Sequence, residues 1–243
     1  MTIRLALHGV SHRYPGGAPV LEDLDLEVRE HETLCVLGAS GAGKSTLVRV
    51  LADLEAPRAG RIDRGEDPRL PALVPQSPDL FPWLTVAENI ALGGRYRAND
   101  GHFRRERVPE LLTDLGIAHL AEALPGELSG GQAQRVALGR ALAVDPGVVL
   151  LDEPFSALDP AIRADLRVWL RDVLTRVRIS AVLVTHDVDE AFTVADRVVY
   201  LDGPRGITGQ WRPQEDGTTR EQVLAHYRVG AAGAVATAAG SPR

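Results

Sequence analysis

Leu24, Leu26 and Val28 alternate with Asp25, Glu27 and Arg29, the period-two pattern of a strand with one buried face. Ile3, Leu5 and Leu7 repeat it near the start, and the two segments together predict an antiparallel β layer. Thr33–Leu37 reads differently. It is a compact apolar run, followed by glycines and then by helical spacing from Ser45 to Leu54. Two more apolar runs, Val148–Leu151 and Ile179–Thr185, flank an amphipathic helix expected from Pro160 to about Arg178, and a helix over Val188–Ala195 leads into a strand over Arg197–Leu201. Strands and helices alternating at these lengths predict an α/β fold with a mostly parallel core sheet and helices on both faces. From about 77 to 144 the alternation stops. Helical segments at Val86–Leu92, Val108–Leu115 and Gln132–Ala143, with no clear strand, predict an α-helical subdomain inserted between sheet strands. The stretch 229–243 is Ala/Gly-rich without period and reads as a disordered tail behind one domain spanning 1–228. No internal repeat is visible, so one unit is expected and not a tandem pair.

Composition adds exclusions more than identity. The 243 residues suffice for a sizeable core, and 44% hydrophobic with 25% charged content is ordinary for a soluble domain. No apolar run approaches the roughly 18 residues needed to cross a bilayer. The start, Met1-Thr2-Ile3-Arg4-Leu5-Ala6-Leu7-His8, lacks the cationic-then-apolar layout of a secretory signal, which together with a single cysteine, Cys35, places the expectation in the cytoplasm. A net charge of −6 argues against a nucleic-acid partner. The best basic cluster, Arg104-Arg105-Arg107, opens a predicted helix and reads as a solvated face.

The glycines after the third predicted strand carry the first chemistry. Gly38-Ala39-Ser40-Gly41-Ala42-Gly43-Lys44-Ser45, followed by Thr46, fits the phosphate-binding pattern G-x-x-x-x-G-K-[ST] in the strand–loop–helix context it requires. A nucleotide tail holds several negative charges. Glycines let backbone N–H groups approach it and the next helix presents its positive end, while Lys44 suits the β- and γ-phosphates and the Ser45 hydroxyl suits Mg²⁺. Val148–Leu151 runs into Asp152 and Glu153, and strand ends at that edge of a parallel sheet face the ligand crevice. The next strand ends in His186. Ser129, Gly130 and Gly131 gather a hydroxyl and two small-residue amides at the start of a predicted helix, a second anion site. Tyr14 precedes Pro15-Gly16-Gly17, an exposed turn; its ring is either a platform for a base or an ordinary surface tyrosine.

With Leu128-Ser129-Gly130-Gly131-Gln132 downstream of the glycine loop, the chain resembles the ATP-binding subunits of ABC transporters, and six motifs stand in that family's order between about Ile3 and Leu201. The resemblance implies an ATPase that uses ATP and Mg²⁺. In it Asp152 holds the metal with Ser45 and Gln76, Glu153 is the general base, His186 contacts the γ-phosphate, and Lys44 and Gln76 complete the catalytic set. Tyr14 would stack on adenine. Ser129, Gly130, Gly131 and Gln132 would grip the ATP of a second ATPase subunit, expected to be an identical copy, and Ser156-Ala157-Leu158-Asp159 resembles the loop that runs along that interface. Pro75 before Gln76, Ala133, Gly139 and the compact Gly60–Gln76 interval depart from the common pattern without removing a catalytic group.

Leu80-Phe81-Pro82-Trp83-Leu84-Thr85-Val86 follows Gln76. Phe81, Trp83 and Leu84 either form an apolar groove for a helix of a membrane permease or pack inside the subdomain. The phrases F-P-W-L-T-V, D-E-P-F-S-A-L-D and T-H-D-V-D-E-A look most like importers of nitrate, aliphatic sulfonates or taurine, with a solute-binding protein as an indirect partner and the chain peripheral on the inner face of the cell membrane. An exporter or lipoprotein-release ATPase shares every catalytic residue, and a soluble ABC protein acting on DNA or ribosomes is the more distant alternative.

Overall fold

The computed structural model describes residues 2–65, 69–96, 99, 101–213, 215 and 217–239, with 231–239 as backbone only. Strands β1 (Ile3–Arg13) and β2 (Pro19–Arg29) pair antiparallel, with Leu7 opposite Leu26 and Val10 opposite Leu24. After β3 (Thr33–Leu37) and helix α1 (Lys44–Leu51), β4 (Ala59–Asp63) adds to the far side of β1, giving a three-stranded sheet in the order β2-β1-β4.

The chain continues through β5 (Ala72–Val74), α2 (Val86–Ile90), α3 (Arg107–Asp114), α4 (Gly130–Leu142), β6 (Val148–Asp152), α5 (Pro160–Val177), β7 (Ser180–Thr185), α6 (Val188–Val194), β8 (Arg197–Leu201), β9 (Ile207–Trp211) and α7 (Arg220–Ala239). The core sheet runs β5-β6-β7-β3-β8-β9, parallel except for the antiparallel β9. Among the described residues from 77 to 144 there are helices and 3₁₀ turns but no strand.

The unbroken apolar runs have a physical cause. Cys35 and Leu37, Val149 and Leu151, Ala181 and Leu183, Val198 and Tyr200 face the core under α4, α5 and α6. Their neighbours Leu34 and Val36, Val148 and Leu150, Val182 and Val184, Val199 and Leu201 face the second core, shared with α1 and the antiparallel sheet. A strand covered on both faces needs no polar alternation. Each Leu or Val sealed there contributes roughly 1.5–3 kcal/mol. At the end of the sheet away from the glycine loop, Arg197 clasps Glu32, with Nε 2.7 Å from Oε1 and Nη2 2.8 Å from Oε2, both residues buried. The pair locks the start of β8 to the start of β3.

Two expectations change. Helix α7 replaces a patternless tail from 229 as far as Ala239, because alanine, dominant there, has the highest helix propensity and needs no amphipathic period; 240–243 lie outside the described residues. Leu84 is buried, so the segment after Gln76 is only in part an open apolar groove. Strands β4, β5 and β9 were not predicted: β5 has three residues, and β4 and β9 lack a continuous buried face.

Candidate active site

The glycine loop joins β3 to α1. Gly43 caps α1 at φ 92°, and a Cβ there would stand 3.0 Å from both the Val20 carbonyl and a Val20 methyl, so a side chain would meet both strain and a wall. The loop bounds a cavity of about 260 Å³ lined by Val20, Ser40, Gly41, Gly43, Lys44, Ser45, Thr46 and Glu153. Lys44 is buried. Its Nζ donates to the Gly38 carbonyl at 3.0 Å and the Ala39 carbonyl at 3.1 Å, and lies 3.3 Å from Glu153 Oε1.

The carboxylate pair ends β6. Ser45 Oγ donates to Asp152 Oδ1 at 3.2 Å. Burial, aided by the neighbouring Glu153 charge and opposed by the Ser45 hydrogen bond, pushes the Asp152 carboxyl above its usual range. A half-buried carboxylate beside a hydroxyl, next to a phosphate-sized cavity, is a donor set that suits Mg²⁺, which takes one or two carboxylates and completes its shell from phosphates and water. The residues therefore fit the metal.

Glu153 turns out of the strand at φ 44°, the left-handed region, while its N–H donates to the Val184 carbonyl at 3.0 Å. Such strain costs on the order of 1–3 kcal/mol and is found where the surroundings over-determine a functional geometry. His186, at the end of β7, places Nδ1 3.1 Å from Glu153 Oε2. Glu153 is thus flanked by Lys44 on one oxygen and His186 on the other. Behind His186, Thr185 Oγ1 donates to buried Glu190 at 2.6 Å, and Asp187 caps α6 by accepting from Asp189 N at 2.7 Å and Glu190 N at 3.2 Å. Arg167 of α5 reaches Asp187 Oδ2 at 2.6 Å. Gln76, past the end of β5, donates to Ser156 Oγ at 2.8 Å, and that hydroxyl donates to the Glu153 carbonyl at 2.9 Å.

Tyr14 lies on the antiparallel sheet's side of α1. Its hydroxyl donates to Glu55 Oε1 at 3.1 Å and sits 3.2 Å from Thr46 Oγ1, while His12 meets the ring edge-on at 5.1 Å. Thr46 also lines the phosphate cavity, so the ring adjoins it. Beside Tyr14 opens a second cavity of about 600 Å³, lined by Arg13, Tyr14, Pro15, Gly16, Gly17 and Arg58. Glu55 and His12, which hold the ring by its edge, carry no sequence pattern that marks them.

The other group stands apart. Ser129 is the N-cap of α4 in a reciprocal box with Gln132: Ser129 Oγ accepts from Gln132 N at 3.3 Å, and Gln132 Oε1 accepts from Ser129 N at 2.8 Å. Gly130 packs so closely on Leu158 that a Cβ would lie 2.7 Å from its methyl, and Gly131 faces Leu166. None of the four lines the phosphate cavity. Asp159 caps α5 by accepting from Ala161 N at 2.8 Å, and Arg163 ties its loop by donating to the Leu158 and Ser156 carbonyls. Gly130 thus meets the Asp159 loop through Leu158, and that loop reaches the first group through Ser156 Oγ on the Glu153 carbonyl, while Ser129–Gln132 and Asp159 line no part of the phosphate cavity.

The segment after Gln76 is held by two residues the motifs did not mark. Buried Asn89 accepts from Phe81 N at 2.9 Å and donates to the Phe81, Leu84 and Thr85 carbonyls; Arg140 of α4 donates to the Pro78 and Asp79 carbonyls, each at 2.8 Å. A polar residue on the buried face of α2, between Val86 and Ile90, was the signal for Asn89. Phe81 and Trp83 meet edge to face at 5.5 Å, and Trp83 is 71% exposed.

Comparison with known proteins adds the following. A family model described as ABC transporter matches residues 21–156. The probable sulfate/thiosulfate import ATP-binding protein CysA of Chlorella vulgaris is 43% identical over 211 residues, covering 84% of this chain and 89% of that protein. The aliphatic sulfonates import ATP-binding protein SsuB 3 of Paraburkholderia xenovorans is 41% identical, covering 87% and 82%. The sulfate/thiosulfate import ATP-binding protein CysA of Synechocystis is 44% identical over 205 residues, and the chain spans 58% of that longer protein. Among solved structures, the chain is similar to a dimeric post-hydrolysis state of the ATP-binding cassette MJ0796 bound to ADP and Pi, with TM-score 0.70, 29% identity, and 86% and 99% of the two chains covered. It is also similar to cbiO1 of Clostridium perfringens, part of the transporter complex cbiONQ, with TM-score 0.77, 25% identity, and 95% and 98% covered.

Proposed function

The chain belongs to the ABC transporter family of ATP-binding proteins and is an ATPase of that family; on that premise we propose that it powers an importer of small oxyanions, docked on a membrane permease and closing with ATP on a second copy of itself. The observation that carries the hydrolytic part is Glu153, strained at φ 44° and held between Lys44 at 3.3 Å and His186 at 3.1 Å.

In this reading Glu153 accepts a proton from the attacking water, which must lie within hydrogen-bond reach. His186 steadies the carboxylate and the γ-phosphate edge. Lys44 exchanges the loop carbonyls for phosphate oxygens, and the amides of Gly38 to Thr46 cradle the tail. Ser45 and Asp152 would hold Mg²⁺, with Gln76 assigned to it by the family resemblance, and the bound metal would supply charge neutralisation on the phosphates. The adenine rests on Tyr14. Ser129 to Gln132 face the nucleotide of the second subunit, with Asp159 beside the interface, and ATP between the two subunits drives closure.

Docking is supported by exposed Trp83 and by a groove of about 210 Å³ between α2 and α3, lined by Ala87, Glu88, Ala91, Arg105, Val108 and Pro109. Phe81 and Trp83 remain in the docking role; Leu84 anchors their loop from within. No helix among the described residues is long and apolar enough to cross a membrane; in the proposed assembly the permease supplies the spanning part and the chain sits on its inner face. The relatives' names favour sulfate, thiosulfate or aliphatic sulfonates as cargo. Of the solutes suggested by the sequence phrases, nitrate is likewise a small oxyanion and taurine is an amino-substituted sulfonate. A solute-binding protein would meet the permease and not this chain, and no nucleic-acid partner is proposed.

The test is purification of the tagged chain from detergent-solubilised native membranes with mass spectrometry of its companions. A polytopic permease accompanied by a solute-binding protein is expected. A permease of an export or lipoprotein-release system would overturn the direction, and only soluble protein or ribosomes would overturn docking.

A further inference from the structure

Helix α7 begins where Thr219 and Gln222 form a reciprocal cap: Gln222 Oε1 accepts from Thr219 N at 2.8 Å, and Thr219 Oγ1 accepts from Gln222 N at 3.4 Å. It touches α6 at its first turn and β8 and β9 farther along. At its first turn Arg220 forks onto Asp189 of α6, Nε to Oδ1 and Nη2 to Oδ2, the latter at 3.1 Å. Asp189 N in turn donates to Asp187, the residue next to His186.

Two turns on, α7 reaches β8. His226 and Tyr227 meet the Tyr200 ring edge-on, at 5.1 and 6.0 Å between centroids. His226 also packs on Trp211 of β9 at 5.1 Å. Gly230 passes over the Tyr200 hydroxyl so closely that a Cβ would lie 2.3 Å from it. Tyr200 stands opposite Leu37, the residue before Gly38, in the β3–β8 ladder.

Magnitudes divide the labour. The Arg220–Asp189 pair is nearly half exposed, and such pairs contribute little energy. Docking rests instead on fully buried Val223 and on Leu224 and Tyr227 against the core. A bidentate fork, however, fixes geometry. Its effect shows at both ends: hydrogen bonding to Arg220 holds the Asp189 carboxyl below its usual range. Burial raises the Tyr227 hydroxyl, and the Glu153 and Asp187 charges raise it further, which puts α7 within electrostatic reach of the site.

We propose that α7 is a positioning brace for hydrolysis: Arg220 sets α6 and with it the His186 loop, while Gly230 seats the helix on Tyr200 beside the phosphate-loop strand. The proposal rests on the reading of Glu153 and His186 as the hydrolytic pair. Neither Arg220 nor Gly230 touches substrate.

The experiment is steady-state ATP hydrolysis by the full chain, with turnover normalised to bound-ATP stoichiometry so that misfolded protein does not count. Arg220→Ala should lower kcat about fivefold, the scale of coupling between neighbouring residues in one network, with KM for ATP within about twofold. Arg220→Lys should restore part of it. Gly230→Ala, displacing the helix from Tyr200, should lower kcat at least as much. Wild-type kcat in both Arg220→Ala and Gly230→Ala, while His186→Ala is inactive, would overturn the brace and leave the hydrolytic reading intact. Full activity in His186→Ala would overturn both.

Discussion

The phosphate loop and the signature segment are built from the same device, a helix N-terminus with small residues, yet their surroundings differ. Around the first, Lys44, Ser45, Asp152, Glu153 and His186 already meet one another from the start of α1 and the ends of β6 and β7. Around the second, Ser129 and Gln132 spend their polar groups on capping α4, Gly130 presses on Leu158 just before α5, and Gly131 presses on α5. One region is assembled for nucleotide and the other waits at a distance. On the proposed reading, the second region serves the nucleotide of a partner subunit, which is why it stands apart from the first.

Breaking the first region should produce the largest effect. Glu153→Gln keeps shape and removes the base, so turnover should fall about 10²- to 10⁴-fold with ATP affinity nearly unchanged, as read by equilibrium nucleotide binding. The rigid sheet beneath that region can be tested next. Burial alone would raise the Glu32 carboxyl, but hydrogen bonds and charge from Arg197 outweigh it and leave it below its usual range. The pair's contribution to stability is therefore present above the ordinary glutamate range and is lost as pH falls through the lowered value. Arg197→Ala strands a buried carboxylate and should cost about 3–5 kcal/mol in denaturant unfolding at neutral pH.

Ser129→Ala probes the second region. It removes a cap worth about 0.5–2 kcal/mol and should slow turnover, while the isolated chain binds ATP as before. A loss of ATP affinity in the isolated chain would erase the distinction between the two regions. Tyr14→Ala sharpens it from the other side. Loss of base stacking should weaken ATP binding by about 1–2 kcal/mol with little change in the turnover of bound ATP.

Much of this was legible in the sequence where chemistry dictates spacing. Gly38 to Ser45 and the carboxylates after Val148–Leu151 stand where amides and strand ends require them. The parallel sheet was legible because double burial leaves unbroken apolar runs. What escaped was held together by contacts distant in sequence. Asn89 and Arg140 act on backbone carbonyls of another segment, and backbone partners leave no residue pattern. Leu84 looked like its neighbour Trp83, but only the latter points outward, a matter of how the loop is pinned. Helix α7 docks by a short apolar stretch, Val223, Leu224 and Tyr227, with aromatic edges and a glycine beyond it, too brief a stripe to mark the helix by its period.

The central claim is that each site is finished in trans. The most direct measurement is light scattering of the purified Glu153→Gln chain with and without saturating ATP. The account predicts a monomer without nucleotide and a dimer with two bound ATP molecules, abolished by adding Ser129→Arg. A chain that stays monomeric with ATP bound, at a concentration where the wild type hydrolyses it, would contradict the account.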